Sequence, residues 1–175
     1  MIEVEIKLPL KDPEGARNKV KELGANLIGD EKQMDIYYNA PHRNLAETDE
    51  ALRIRFGKDA SLTYKGPKLD KMSKTREEIV APIADADKIS AILKVIGFDE
   101  VAKVTKHRET YQLDDFIITI DYLFDLGTFM EIETALPEEE DYRFAQDRVF
   151  DLLSRFGLRK EDTVRESYLE LILNR

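Results

Sequence analysis

The sequence predicts an α+β fold, with about eight antiparallel strands in a sheet or barrel and helices packed on it. Three observations predict it. Segments with period-two hydrophobicity outnumber those with helical period. They follow one another closely, joined by short turn signals. Amphipathic helices that end at glycines separate one group of them from the next. At 175 residues the chain reads as one domain, 1–175.

The first strand covers 2–8, with Ile2, Val4, Ile6 and Leu8 on one side. Asp12 then caps a helix that has Pro13 at its first position, Ala16, Val20 and Leu23 on one face, and Gly24 as its stop. Strands follow at 33–39, 51–57, 60–65 and 76–81, with Gly57-Lys58-Asp59 as a hairpin turn. A second helix starts near Asp85, carries Ile89, Ile92, Leu93 and Ile96 at helical spacing, and stops at Gly97. Strands return at 103–112, 116–122 and 128–134, with a turn at Asp114-Asp115. A third helix is expected after Pro137, its first turn the acidic run Glu138–Asp141, with Ala145, Val149, Leu152, Leu153 and Phe156 inward and a stop at Gly157. A short final helix is expected over Val164–Leu173.

A faint repeat runs through this order at an offset of 73 residues. Glu5-Ile6, Pro9, Asp12, Lys21, Gly24 and Tyr38 recur as Glu78-Ile79, Pro82, Asp85, Lys94, Gly97 and Tyr111. It predicts two pseudo-symmetric halves closing one barrel, with Glu5 and Glu78 in equivalent places.

Composition narrows the function. Lys and Arg number 27 against 36 Asp and Glu, a net charge of −9, which argues against a nucleic-acid or membrane partner. Without cysteine there is no disulfide, thiolate-bound zinc or thiol nucleophile, and His42 and His107 are too few for a histidine-rich metal site. No leader-like segment opens the chain, and no apolar run approaches the ~20 residues that span a bilayer. A soluble, cytoplasmic protein is expected; a homodimer is compatible with the sequence.

The polar strand faces carry the chemistry. Sorting alternate residues puts Lys7, Arg53, Arg55, Lys65, Arg76, Lys106 and Arg108 together with Glu3, Glu5, Asp35, Glu78, Asp121, Glu131 and Glu133. Ordinary solvated strands are the plain reading of any one of them. As a set they hold paired charges with little Ser, Thr or Gln between. If this face lines a lumen, its cations suit phosphate oxygens and its carboxylates suit Mg²⁺ or Mn²⁺. The helices would then pack on the outer, apolar face. The segment Lys68–Lys74 reads either as a basic loop over bound substrate or as a solvated hairpin. Tyr37 is a candidate contact for a base or ring, and Tyr38 a core residue.

Glu3-Val4-Glu5-Ile6-Lys7 resembles the Glu-x-Glu-x-Lys signature of the CYTH family, the triphosphate tunnel metalloenzymes. The resemblance continues through Gln33-x-Asp35-x-Tyr37-Tyr38, Ala51–Arg55, Thr63–Gly66, Arg76-x-Glu78, Lys106-x-Arg108, the strand of Asp121 and Leu126–Glu133. It implies an eight-stranded antiparallel β-barrel, a tunnel for a triphosphate, and a required divalent metal, Mg²⁺ or Mn²⁺. Carried over, the triphosphate-binding residues are Lys7, Arg53, Arg55, Lys65, Arg76, Lys106 and Arg108. The metal ligands are Glu3, Glu5, Glu78, Asp121, Glu131 and Glu133, and the catalytic assignment falls on Lys65 and Glu5. Val80 departs from the family's Arg-x-Glu-x-Glu, leaving one carboxylate fewer. The resemblance implies a triphosphatase acting on inorganic triphosphate, thiamine triphosphate or a nucleoside triphosphate such as ATP. The alternatives are a class IV adenylyl cyclase making cyclic AMP and pyrophosphate, and a non-catalytic polyphosphate sensor. The cyclase branch carries a His-Phe pair shortly before the first Glu; only Met1 and Ile2 precede Glu3, which favours the triphosphatase.

Overall fold

A computed structural model describes residues 1–137 and 140–175. Its strands are β1 (Ile2–Pro9), β2 (Asn26–Asn39), β3 (Ala51–Phe56), β4 (Ser61–Lys68), β5 (Arg76–Pro82), β6 (Asp99–Leu113), β7 (Phe116–Leu123) and β8 (Gly127–Leu136). The α-helices are α1 (Pro13–Glu22), α2 (Ala86–Val95), α3 (Tyr142–Arg155) and α4 (Tyr168–Leu173). The strands close into a barrel in the order β1-β5-β4-β3-β2-β6-β7-β8, with every neighbouring pair antiparallel.

Alternation sorts the two faces as expected. Val4, Ile6, Leu8, Ile118, Ile120, Met130 and Ile132 point outward and are covered by Ala16 and Val20 of α1 and by Ala145, Val149, Leu152 and Leu153 of α3. Ile36, Tyr38 and Ile54 form a second cluster under Leu93 of α2, where Tyr38 shares a hydroxyl hydrogen bond of 2.6 Å with Ser90. Each fully buried aliphatic side chain contributes roughly 1.5–3 kcal/mol, so the core lies outside the barrel and frees its interior for charge. No helix among the described residues is long and apolar enough to cross a membrane.

The repeat survives as a pseudo-two-fold. Exchanging β1–β4 with β5–β8 maps the cyclic strand order onto itself. Glu3 stands opposite Arg76 in the β1–β5 ladder, and Gln33 opposite Lys106 in the β2–β6 ladder, each pair 73 residues apart and so on the axis. Glu5 faces Glu133 across β1–β8 while Glu78 faces Lys65 across β4–β5, so the two glutamates occupy equivalent places.

Several boundaries differ from expectation. The third helix begins at Tyr142, because the Asp141 side chain accepts from the Arg143 backbone N–H at 3.0 Å and is the cap. Glu140 and Asp141 therefore precede the helix; Glu138 and Glu139 lie outside the described residues. The final helix is shorter, starting at Tyr168 behind a Ser167–Glu170 capping box. β2 and β6 reach well beyond 33–39 and 103–112, pairing with each other from Asn26 opposite Gln112 to Asn39 opposite Asp99. The Lys68–Lys74 segment is no solvated hairpin: Gln146 of α3 donates to Asp70 at 2.7 Å and to Ser73 at 2.9 Å, and Lys74 is buried.

Candidate active site

The barrel interior holds a cavity of about 280 Å³ lined mostly by charged side chains, with Tyr37, Val80, Tyr168 and Leu169 among the uncharged ones. At one place the β1–β8 register sets Glu5 opposite Glu133, and alternation adds Glu3. One carboxylate oxygen from each lies within 4.8 Å of the other two. Burial and mutual repulsion with Glu3 and Glu5 push Glu133 up to about 8. Burial also raises Glu3, with Glu78 adding to the effect, and Glu5, with Glu131 adding to it. Three hard oxygen donors that resist ionisation side by side are a donor set suited to Mg²⁺ or Mn²⁺.

The basic side chains divide by partner. Arg55 makes a bidentate pair with Asp35 at 2.8 Å, and Arg53 stands 3.6 Å from the same carboxylate. Arg108 pairs with Asp121, Nε to Oδ1 at 2.7 Å, and with Glu131 at 2.6 Å. Lys106 lies between the two groups, 3.6 Å from Asp35 and 3.7 Å from Asp121. Burial opposes ionisation of Asp35, Asp121 and Glu131, but these cations, joined at Glu131 by Lys74, hold each of the three below the ordinary carboxylate range. Arg76 leans toward Asp49 at 3.8 Å.

Two buried lysines are held below the ordinary ammonium range. The ammonium of Lys7 is fully buried, has no hydrogen-bond partner among the described residues, and sits 4.0 Å from the centre of the Tyr168 ring. Burial, helped by Lys74, pulls Lys7 down to about 7; burial, helped by Arg108, pulls Lys106 down to about 8. Lys65 behaves oppositely. Burial lowers it, but Glu78 in direct contact and Glu3 at 3.7 Å outweigh this and raise it, so its ammonium keeps its proton.

The fold thus brings all the sequence-derived site residues into one interior, but not into one metal shell. Glu3, Glu5 and Glu133 form a group, whereas Glu78 is bonded to Lys65, and Asp121 and Glu131 are bonded to Arg108. Asp121 also accepts from the Tyr168 hydroxyl at 2.9 Å. Two contributors lie outside the sorted strand faces, Lys74 reading in sequence only as part of a basic loop over bound substrate or of a solvated hairpin. Lys74 contacts Glu5 and stands 3.6 Å from Glu131; extending the Arg76, Glu78 alternation two residues upstream would have found it. Tyr168 reaches the interior from α4, and nothing local in sequence marks it. Tyr37 lines the cavity while packing in the cluster of Val104, Leu123, Phe129 and Tyr168. His107 pairs with Asp30 at 2.6 Å outside the cavity, and His42 is exposed.

A barrel whose lumen couples a carboxylate group to a nest of cations offers donors for a divalent metal and for a polyanion. Residues 1–168 match the CYTH domain, and the chain belongs to the CYTH family, whose members are metal-dependent enzymes of the triphosphate tunnel type. It is 42% identical to a candidate adenylate cyclase of Methanocaldococcus jannaschii, over 98% of both chains. It is 28% identical to adenylate cyclase CyaB of Aeromonas hydrophila, over 97% of this chain and 87% of that one. Among solved structures, the PH1819 protein of Pyrococcus horikoshii OT3 superposes with a TM-score of 0.89 at 41% identity, covering 98% of each chain.

Proposed function

We propose that the protein is a metal-dependent triphosphatase that takes inorganic triphosphate, thiamine triphosphate or a nucleoside triphosphate into the tunnel and cleaves off the terminal phosphate. One observation carries the reading: the interior is electrostatically incomplete in both signs at once. Burial and neighbouring carboxylates raise Glu3, Glu5 and Glu133 even with Lys74 against Glu5 and Lys65 3.7 Å from Glu3, and burial and neighbouring cations lower Lys7 and Lys106. A triphosphate with its divalent metal answers both needs.

In this reading Glu3, Glu5 and Glu133 would hold Mg²⁺ or Mn²⁺, which would supply charge neutralisation and acidify a water. Lys7 and Lys106 take phosphate oxygens as point charges, and Arg53, Arg55, Arg76 and Arg108 take them through their planar forks. Asp35 aims the Arg53 and Arg55 guanidinium groups, and Asp121 and Glu131 aim that of Arg108, so little reorganisation remains there when the substrate enters. Lys65 keeps its proton at Nζ and serves as a fixed positive charge beside Glu78 and Glu3, not as a base. Phosphoryl transfer asks mainly for such positioning and charge stabilisation. A cavity of about 280 Å³ lies just below the ~300–1,000 Å³ usual for small-molecule sites, which suits a compact polyanion.

Class IV adenylyl cyclase is the second reading, favoured by the names of the two sequence relatives. It needs the ribose 3′-oxygen at the α-phosphate with pyrophosphate leaving. Incubation with ATP, inorganic triphosphate and thiamine triphosphate in Mg²⁺ or Mn²⁺, followed by product identification, separates the two. Orthophosphate supports the triphosphatase; cyclic AMP with pyrophosphate overturns it. Tight binding without product points to a sensor and overturns both enzymatic readings.

A further inference from the structure

The pseudo-two-fold relates more than strands. Glu133 opposite Glu5 on β8–β1 has as its counterpart Lys65 opposite Glu78 on β4–β5. One half of the barrel therefore places a carboxylate where the other places an ammonium. Glu3 sits at the seam between the halves and serves both, with an oxygen in the Glu5, Glu133 group and another contact at 3.7 Å to Lys65 Nζ. Arg76, on the axis opposite Glu3, leans away toward Asp49 at 3.8 Å and leaves the Lys65 side to Glu3 and Glu78.

The geometry points to Lys65 as a built-in cation filling the second of two pseudo-symmetric cation half-sites, so that the tunnel binds one exchangeable divalent ion on the β1–β8 side and carries its other positive charge covalently. Lys65 is a positioning residue in this scheme. Its ammonium neutralises Glu78 and the near side of Glu3, and it fixes the metal stoichiometry of the substrate-free protein. A lysine is a compact point charge on a flexible stem and can stand where an ion would otherwise sit. The inference deepens the reading of Glu3, Glu5 and Glu133 as the metal-binding group and rests on it.

Removing the ammonium opens the second half-site, and placing a carboxylate there completes it. The test counts Mn²⁺ ions bound per chain, by electron paramagnetic resonance of free Mn²⁺ without triphosphate, for the wild type, Lys65→Glu, Lys65→Ala and Lys65→Arg. The wild type and Lys65→Arg bind one ion. Lys65→Glu binds two, and Lys65→Ala binds a weaker second ion through Glu3 and Glu78, which keeps the test usable if Lys65→Glu does not fold. One ion in every variant, or two in the wild type, overturns the inference. No ion in the wild type but one in Lys65→Glu would uphold the half-site while refuting the metal group of the proposed function. No ion in any variant would refute both.

Discussion

Replacing Glu133 by Gln separates a metal ligand from a structural carboxylate. In the metal-free fold, burial and repulsion from Glu3 and Glu5 raise this group from its ordinary 4.5 to about 8, and it makes no ion pair among the described residues. A carboxyl raised on folding contributes stability that is complete below its unfolded value and is lost as pH climbs through the folded one. The metal-free protein should thus weaken between pH 4.5 and about 8. At about 1.4 kcal/mol per tenfold change in proton affinity, the loss is capped on the order of 5 kcal/mol. Relaxation and water entry bring the expected figure to roughly 1–3 kcal/mol. Glu133→Gln keeps the shape and removes the charge. In chelator at pH 9, urea denaturation should show the variant as stable as the wild type or more so. Mn²⁺ should stabilise the wild type strongly and the variant little, because losing a direct ligand costs more than the ~10–100-fold in affinity of a supporting partner. Equal pH dependence of the two metal-free proteins, with equal stabilisation by Mn²⁺, would refute the reasoning.

Lys7 at about 7 and Lys106 at about 8 regain protons when an anion arrives. Triphosphate binding without metal should therefore take up protons and weaken as pH rises from 7 to 9, as calorimetry in two buffers of different ionisation enthalpy would record. Lys74→Ala removes the ammonium that contacts Glu5 and should tighten Mn²⁺ binding roughly tenfold, about 1.4 kcal/mol, while weakening triphosphate binding; looser binding of Mn²⁺ would count against the assignment. Leu153→Ala, at a site 1% exposed under α3, should cost about 2–5 kcal/mol by urea denaturation, since the core lies outside the barrel.

Alternation was the legible signal because the barrel buries both faces of its central strands for different reasons. Val4, Ile6 and Leu8 go under helices, while Glu5 and Lys7 go into the lumen, and period two alone separates them. The same rule fails at Leu27, Ile28 and Val101. There the β2–β6 ribbon extends with its large apolar side chains exposed, and no face preference is written into the residues. The acidic stretch before α3 reads as a first turn because helix dipoles favour anions there. The structure instead uses Asp141 as a cap, a role that needs the aspartate side chain to bond back to the backbone. The division of carboxylates was illegible for a deeper reason. Glu131 and Glu133 are alike in sequence, yet Arg108 reaches one, while Glu5 stands opposite the other. That difference comes from a strand order in which β8 neighbours both β1 and β7. Tyr168 was hidden likewise: only the docking of α4 brings its ring over Lys7.

The central claim is that the tunnel's two charge deficits are met by a triphosphate and its metal in a hydrolytic reaction. Phosphorus NMR of inorganic triphosphate incubated with the protein tests it most directly. The account predicts conversion to pyrophosphate and orthophosphate in equal amounts with Mg²⁺ or Mn²⁺, and none in chelator. Hydrolysis that continues in chelator would contradict it, as would an unchanged spectrum with metal under conditions where ATP is turned into cyclic AMP.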